Sequence, residues 1–186
     1  NEKMIYLCYD NEGYMNTGVQ RSSGTPFGAA TSTTPVGSAR HGKDTGKKDL
    51  PMLMSMHDIA YTATATLSHL EDYAKKLKKA KEKSRQGFVY LHVFCPCVDG
   101  WRIPTDSSIQ VCRAAVRTNY FPLWECEDGH YRITRKVSKP KPIEELTGLV
   151  GKFKHMNKDE IQVLQSMVNK RFNILKALCE GTGKAS

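Results

Sequence analysis

The sequence has no apolar run that approaches the roughly 20 residues of a membrane-spanning helix, so it predicts no association with a membrane. It shows no signal-peptide pattern at its start. Its six cysteines are scattered, without the spacing of a disulfide framework in a small secreted domain. These absences favour a cytoplasmic protein with reduced thiols. No internal repeat is visible.

The chain also lacks an initiator methionine, and it enters an apolar run at residue 4. A domain rarely starts at a core strand, so we expect an N-terminal portion to be missing from this sequence. The 186 residues, 39% hydrophobic and 25% charged, are otherwise ordinary for a globular protein and suffice for one domain with a core.

The charge is strongly positive, with a formal net value of +9. Much of the excess lies in residues 75–83, and a second share lies in residues 135–141. A basic face attracts acidic proteins or nucleic acids over a long range. The lysine-rich segment lacks the interleaved aromatic side chains that stack on bases, so we expect no nucleic-acid partner. A basic binding module without catalysis is one hypothesis for this protein.

Polar residues crowd the end of the first apolar run. Residues 4–9 have the length of a buried strand, and Asp10, Asn11, Glu12 and Gly13 follow directly. Oxygen-bearing side chains, with glycines that bend the backbone, suit a hard cation and an anionic ligand. In open α/β sheets, ligands bind at the carboxyl ends of the strands. A plain strand that ends in a polar turn explains the same residues, and is the simpler interpretation of this stretch alone.

The segment 21–48 has no helix or strand periodicity and is rich in Ser, Thr, Gly and Pro. Such a long segment is either an ordered functional loop or a disordered linker. Its composition does not decide between the two.

Alternating strand and helix patterns fill the rest of the chain. Asp49 is placed to cap a short helix that reaches residue 57, Ser68 and Glu71 form a capping box, and Asn157 caps the last helix. The other predicted elements are strands at 59–65 and 88–94, helices at 68–86, 105–118, 143–151 and 160–179, and a hairpin at 123–134 with an Asp-Gly turn. This order predicts an α/β fold, a mostly parallel sheet flanked by helices, with a C-terminal hairpin and a helical tail.

A second polar loop, residues 95–101, follows the strand at 88–94. Cys95 and Cys97 are thiolate candidates, although free cysteines are often simply buried. A four-iron cluster needs four thiolates, and a structural zinc site needs four ligands. The other cysteines lie at predicted core positions. The loop is therefore either structural or completed by ligands upstream of residue 1.

Several short motifs follow one another along the chain, at 10–18, 20–23, 25–26, 47–51, 63–65, 96–97, 100–102 and 153–155. The first three resemble the thiamine-diphosphate loop of pyruvate:ferredoxin oxidoreductases. More specifically, with all the motifs in the right order, the chain is similar to the β subunit of the multi-subunit 2-oxoacid:ferredoxin oxidoreductases over essentially its whole length. The loop at 96–101 departs from the commoner Pro-Cys-Pro-Thr-Gly-Trp of this family by reading Pro-Cys-Val-Asp-Gly-Trp.

The resemblance implies the thiamine-diphosphate-binding fold and a site for thiamine diphosphate with Mg²⁺. Asn11 matches a side-chain ligand of the magnesium, and Gly13 matches a position that offers its backbone carbonyl. Asn16 matches the catalytic residue that reaches the reactive thiazolium ring, and Tyr14 and Thr17 flank it. These five residues are the cofactor-binding set that the resemblance predicts.

The resemblance also implies a [4Fe-4S] cluster, because Cys97 matches the family's final ligand to the cluster nearest thiamine. Cys95 is expected to be structural. The third magnesium ligand, an aspartate of a Gly-Asp-Gly motif, and the remaining cluster ligands would lie upstream of residue 1. The glutamate that activates the aminopyrimidine belongs to another subunit in this family.

The implied activity is oxidative decarboxylation of a 2-oxoacid to an acyl-coenzyme A, with electrons passed to iron–sulfur clusters. Pyruvate is the expected substrate, and aromatic, branched or dicarboxylic 2-oxoacids are alternatives, as is a non-redox thiamine-dependent decarboxylase or synthase. The expected partners are the other subunits of the complex, ferredoxin or a similar acceptor, the 2-oxoacid and coenzyme A. Residues 1–139 are expected to form the C-terminal part of the cofactor-binding domain, and 140–186 a helical extension.

Overall fold

A five-stranded mixed sheet forms the centre of the protein. The computed structural model describes residues 2–182. The strands are β1 (Ile5–Asp10), β2 (Tyr61–Thr66), β3 (Val89–Phe94), β4 (Trp124–Glu127) and β5 (His130–Ile133). Their order across the sheet is β1-β3-β2-β4-β5. The pairs β1–β3 and β2–β3 are parallel, whereas β2–β4 and β4–β5 are antiparallel.

Helices and a long irregular segment cover the sheet. Two 3₁₀ helices, Thr105–Ser107 and Gly151–Phe153, add short turns. The α-helices are α1 (Leu50–Ser55), α2 (Leu70–Lys83), α3 (Val98–Trp101), α4 (Ser108–Arg117), α5 (Glu144–Thr147) and α6 (Lys158–Thr182). The α/β class is therefore confirmed, with the hairpin β4–β5 continuing the parallel strands as part of the same sheet.

Strands β2 and β3 are buried along their whole length, as the continuous apolar run at 88–94 predicts for a central strand. The prediction that residues 4–9 form a buried strand is wrong. Within residues 2–182, β1 pairs only with β3, so its side chains lie at the edge of the sheet. Tyr6 is 51% exposed and Tyr9 is 68% exposed.

The predicted hairpin is confirmed. Asp128 and Gly129 have φ values of 50° and 77°, which match the two positive φ angles of the tight turn that an Asp-Gly pair favours. Three register pairs attach β4 to β2, so the turn lies beyond the amino end of β2, where Tyr61 faces Glu127.

Helix α2 departs from its predicted start and end. The N-cap is His69, without a side-chain capping bond, and the helix ends at Lys83 rather than near residue 86. The capping box of Ser68 and Glu71 is wrong, because the Ser68 hydroxyl pairs with Nδ1 of His69 at 2.9 Å. The lysines at 75–83 are not all exposed on the surface of α2, since Lys76 is only 1% exposed.

Two other predicted caps are confirmed. The Asp49 carboxylate accepts a hydrogen bond from the Met52 amide at the start of α1. Asn157 and Glu160 form a reciprocal capping box at α6, with hydrogen bonds of 2.8 and 2.9 Å. Between these helices, the segment predicted as a helix at 105–118 begins with a 3₁₀ turn and continues as α4.

The segment 21–48 is an ordered loop, so the disordered-linker alternative is wrong. Thr25, Ala29 and Thr34 are buried. The Thr25 hydroxyl donates to the Glu12 carbonyl at 2.6 Å, which attaches the loop to the end of β1. Gly42 has a φ of 85°, and a Cβ there would collide with the Gly28 carbonyl, so the loop requires glycine at this position.

Residues that follow the hairpin pack into the main core. Ile143, Leu146 and Phe153 share one apolar cluster with Phe94 and Trp101. Helix α6 also contacts β5. Among residues 2–182, no helix has both the length and the apolar character needed to cross a bilayer.

Candidate functional site

The two predicted site loops leave the sheet side by side. Asp10 and Phe94, the last residues of β1 and β3, are register partners. The Cys95 amide donates to the Asp10 carbonyl at 3.0 Å, which extends the pairing by one residue. Loop 10–20 and loop 95–101 therefore start at neighbouring carboxyl ends of parallel strands, where ligands bind in this class of sheet.

Direct contacts hold the two loops together beyond the sheet. Trp101 is 1% exposed, and its indole Nε1–H donates to the Asn11 carbonyl at 2.8 Å. Gly100 lies so close to the Met15 side chain that a Cβ at this position would collide with the Met15 sulfur. Met15 therefore packs directly against the backbone of loop 95–101.

The predicted cofactor-binding residues lie along one turn. Asn11 and Gly13 are half-buried, whereas Tyr14, Asn16 and Thr17 are exposed. Backbone hydrogen bonds of 2.9 and 3.1 Å between Tyr14 and Gln20 close the turn at its base. The turn thus has a fixed base and an exposed tip that carries Asn16.

The donor set at the base of this turn fits part of a magnesium site. Within residues 2–182, neither the Asn11 side-chain amide nor the Gly13 carbonyl takes part in a hydrogen bond. Two free oxygens supply a third of the near-octahedral shell of about six that Mg²⁺ prefers. The described part of the chain contains no group of three or more His, Cys, Asp and Glu residues that could hold a metal alone.

The two carboxylates of this stretch are engaged in buried ion pairs instead of lining an open site. Asp10 Oδ2 lies 2.5 Å from Lys47 Nζ and 2.9 Å from His92 Nε2. The other nitrogen of the His92 ring, Nδ1, pairs with the Tyr90 hydroxyl at 2.8 Å. Asp10 is therefore occupied by Lys47 and His92, and it is not one of the residues predicted to bind the cofactor or the metal.

Glu12 is enclosed more completely and is 2% exposed. Its Oε1 accepts from Lys47 Nζ at 2.8 Å and from the Tyr120 hydroxyl at 2.7 Å. Its Oε2 accepts from Lys152 Nζ at 2.5 Å. The side chains of Glu12 and its three partners are all almost completely buried. Glu12 is thus an internal anchor, not a metal ligand.

Burial and charge act in opposite directions on these carboxylates. Burial raises the pKa of Asp10, but the charge of Lys47 and the hydrogen bond from His92 outweigh it and hold the pKa well below its usual range. Burial likewise raises the pKa of Glu12, and the charges of Lys152 and Lys47 reverse the effect, so the net shift is downward. Both carboxylates are therefore ionised at neutral pH.

Sequence reasoning missed three members of this cluster, Tyr120, His92 and Lys152. The ammonium of Lys152 lies 3.4 Å from the centroid of the Trp101 ring, a cation–π contact that joins the 3₁₀ helix Gly151–Phe153 to loop 95–101. The sequence does contain one indication of this role for Lys152. It is the only lysine in the otherwise apolar stretch 149–153, and a buried lysine requires a partner.

Cys97 lies at the amino end of α3. Its sulfur accepts a hydrogen bond from the Gly100 amide at 3.4 Å, and its side chain is partly buried. A cysteine thiolate is the form that binds metals. At Cys95, two residues earlier, burial raises the pKa of the thiol.

Comparisons with known proteins identify relatives of this chain. Residues 1–93 match the family model described as "Thiamine pyrophosphate enzyme, C-terminal TPP binding domain". The ketoisovalerate oxidoreductase subunit VorB of Pyrococcus furiosus is 48% identical over 96% of this chain and 58% of its own length. The pyruvate synthase subunit PorB of Methanocaldococcus jannaschii is 44% identical over 92% of this chain and 57% of its own.

A third relative, the beta subunit of the NADH-dependent phenylglyoxylate dehydrogenase of Aromatoleum evansii, is 45% identical over 92% of this chain and 39% of its own length. The chain therefore spans less than two thirds of each of these relatives. Identity of this level over nearly the whole chain, together with the matching family model, places the chain in the thiamine-diphosphate-binding β-subunit family of the 2-oxoacid:ferredoxin oxidoreductases.

Proposed function

We propose that this chain supplies part of the thiamine-diphosphate site in a multi-subunit 2-oxoacid oxidoreductase. The observation that carries the proposal is the hydrogen bond from Trp101 Nε1 to the Asn11 carbonyl. This bond joins the turn to a loop with a thiolate candidate. Two oxygens of the turn have no hydrogen-bond partner in the part of the chain that the structure describes. A site for an electron-releasing cofactor needs such a neighbour to carry the electrons away. The family membership supports the same arrangement.

Each residue of the turn has a separate part in this proposal. The Asn11 amide oxygen and the Gly13 carbonyl would bind the magnesium that holds the diphosphate, and Asn16, at the exposed tip, would face the reacting carbon. Tyr14 and Thr17 would enclose the cofactor on either side. When bound, thiamine diphosphate supplies the electron sink for decarboxylation of a 2-oxoacid, and a [4Fe-4S] cluster carries electrons singly.

Cys97 would supply one thiolate to that cluster. One cysteine cannot hold a four-iron cluster. Residues 2–182 contain no group of three or more metal-binding side chains, so the other ligands of the proposed cluster would come from outside these residues. Trp101 and Gly100, in the same loop as Cys97, contact Asn11 and Met15, so a cluster held by Cys97 would belong to the same region as the proposed cofactor.

The substrate in this proposal is a 2-oxoacid, and coenzyme A, an electron acceptor and the other subunits complete the system. Pyruvate, ketoisovalerate and phenylglyoxylate appear in the names of the relatives, so the family accepts side chains of very different size. Val98 and Asp99 replace the commoner Pro-Thr in the loop beside the turn. We expect these two residues to influence which 2-oxoacid is accepted.

Anaerobic purification of the whole complex tests the proposal. We expect thiamine diphosphate in the mass spectrum of the denatured complex, together with iron and acid-labile sulfide. Thiamine diphosphate without iron would instead identify a non-redox decarboxylase or synthase. Absence of both would leave a basic binding module. A turnover series with pyruvate, 2-ketoisovalerate and phenylglyoxylate then measures the substrate preference.

A further inference from the structure

Glu12 lies between the two residues proposed as magnesium ligands and adopts a conformation that its residue type disfavours. Its φ is 64°, in the left-handed region where the Cβ of an L residue crowds the backbone. The adjacent Gly13 could adopt this conformation without strain, but it is not among the residues with positive φ. A Cβ at Gly13 would lie 3.0 Å from the Gln20 carbonyl, so a larger residue there would require the neighbouring backbone to shift by a few tenths of an ångström.

Every polar group of Glu12 has a partner that holds this conformation. The amide donates to Asp10 Oδ1 at 2.9 Å, and the carbonyl accepts from the Thr25 hydroxyl at 2.6 Å. The carboxylate has the three partners Lys47, Tyr120 and Lys152. A strained residue persists only where its surroundings over-determine it, and such residues concentrate at functional sites.

The same contacts determine which oxygens remain available to a ligand. The Asn11 carbonyl is occupied by the Trp101 indole, and the Glu12 carbonyl is occupied by Thr25. Among the described residues, nothing hydrogen-bonds to the Asn11 side chain or the Gly13 carbonyl, which lie on either side of the left-handed residue. Lys152 contacts both Glu12 and the Trp101 ring, so it connects the two anchors.

The carboxylates and lysines of the cluster balance in charge, because Asp10 and Glu12 carry two negative charges and Lys47 and Lys152 carry two positive ones. Since these groups neutralise one another and are buried, they offer a diphosphate little net attraction. Their contribution is therefore geometric, which separates them from lysines that bind phosphate directly.

We propose that Glu12 is a positioning residue for the magnesium–diphosphate site, and that Tyr120, Lys47 and Lys152 act on the metal through it. By fixing the left-handed turn, the buried carboxylate aims the Asn11 amide and the Gly13 carbonyl at one point. This inference rests on the proposed function. It adds a role for a buried cluster that would itself never touch the cofactor.

A matched pair of tyrosine variants tests the role. Tyr120→Phe removes one buried hydroxyl that donates to Glu12 at 2.7 Å. Tyr61→Phe removes an equivalent buried hydroxyl, which donates to Glu125 at 2.6 Å. Tyr61 lies at the amino end of β2, whereas the proposed site lies at the carboxyl ends of the parallel strands. The variants are made in the full-length subunit within its assembled complex. After removal of cofactor and metal, Mn²⁺ affinity is measured by electron paramagnetic resonance in the presence of thiamine diphosphate, and melting temperatures are recorded.

We expect the two variants to lose similar thermal stability, while only Tyr120→Phe weakens Mn²⁺ binding. A hydrogen bond of this kind corresponds to a loss of about three- to tenfold in affinity. Turnover of Tyr120→Phe should recover at saturating Mn²⁺ and thiamine diphosphate, because the reacting residues are intact.

A second variant, Trp101→Phe, removes the donor to the Asn11 carbonyl and retains a ring for Lys152. It should weaken Mn²⁺ binding in the same way, and it decides the question if Tyr120→Phe does not assemble. If Trp101→Phe, and any Tyr120→Phe complex that forms, bind Mn²⁺ with wild-type affinity, the positioning role is wrong. That result would leave the proposed function standing. A wild-type complex that binds neither thiamine diphosphate nor Mn²⁺ would overturn the proposed function as well.

Discussion

The ammonium of Lys152 lies 2.5 Å from Oε2 of Glu12, although 140 residues separate them in the sequence. The contact connects the segment after α5 to the turn that follows β1. Because both side chains are almost completely buried, neither charge has water as an alternative partner. The pair therefore couples the stability of the C-terminal part of the chain to the shape of the proposed cofactor-binding turn.

Replacing Lys152 by Met tests this coupling. Removing one partner from a buried ion pair typically costs about 3–5 kcal/mol. Lys47 and Tyr120 still bond to the carboxylate, so we expect the free energy of unfolding to fall by about 3 kcal/mol in urea denaturation. Lys154→Met, at an exposed neighbouring position, is the control. Its free energy of unfolding should differ from wild type by less than about 0.5 kcal/mol. Similar small losses in both variants would contradict the buried pair.

Acid should weaken the attachment of the hairpin to α2. Hydrogen bonds from Lys83 and then Lys79 lower the pKa of Glu127 from 4.5 to about 2. Because the folded pKa lies below the unfolded one, this contribution to stability is complete above about pH 4.5 and is lost as the pH falls towards 2. Glu127→Gln should therefore be less stable than wild type at pH 6, by up to about 1 kcal/mol for a partly exposed pair.

Urea denaturation at pH 6 and pH 3 measures this difference for wild type and Glu127→Gln. The difference in free energy of unfolding between the two proteins should be smaller at pH 3 than at pH 6. A gap that stays constant between these pH values would show that the lysines do not stabilise the ionised form of Glu127 in the folded protein.

Cys97→Ser should remove iron without removing thiamine diphosphate. A serine oxygen is a poorer ligand for iron than a thiolate, whereas the proposed cofactor-binding turn keeps the Trp101 contact to Asn11. Cys95→Ser is the matched control, since it changes the same atom two residues away and should leave the iron content unchanged. Iron and acid-labile sulfide analysis of the anaerobically purified complexes provides the measurement. Wild-type iron content in Cys97→Ser would remove Cys97 from the set of cluster ligands.

Local sequence signals predicted the elements that depend on few residues. The Asp128-Gly129 turn and the cap at Asn157 each involve groups within four positions of one another. The apolar run that became β3 was equally clear, because a central strand needs apolar residues on both faces. The order of the elements also indicated that both loops follow strands of a mostly parallel sheet, but the direct pairing of β1 with β3 is known only from the structure.

Features that depend on distant partners were not predictable. Lys76 resembles the other lysines of α2 in sequence, yet its ammonium is buried against Thr134, 58 residues away. Glu12 was grouped with the cation-binding oxygens, because nothing local indicated Lys152 or Tyr120 as its partners. The exposure of β1 was missed for the same reason, since the apolar pattern does not state which neighbours pair with a strand.

Asn11→Ala should release the metal, whereas Asn16→Ala should retain it. The Asn11 amide lies at the half-buried base of the turn and is free of hydrogen bonds within the described residues, as a metal ligand must be. Loss of one of about six oxygen ligands should weaken Mg²⁺ affinity by about tenfold or more, by comparison with the 10–100-fold cost of changing even outer-shell groups. Asn16 lies at the exposed tip, so its replacement should lower turnover at unchanged metal and thiamine diphosphate content.

Metal and cofactor content of both complexes, measured after dialysis at limiting Mg²⁺, separates these two roles. Equal retention of Mg²⁺ and thiamine diphosphate in Asn11→Ala and wild type would show that the amide is not a ligand. Loss of both in Asn16→Ala would show instead that the tip of the turn, and not its base, binds the cofactor. The contrast between the two asparagines therefore tests the direction in which the turn presents its oxygens, which is the feature that the buried Glu12 is proposed to fix.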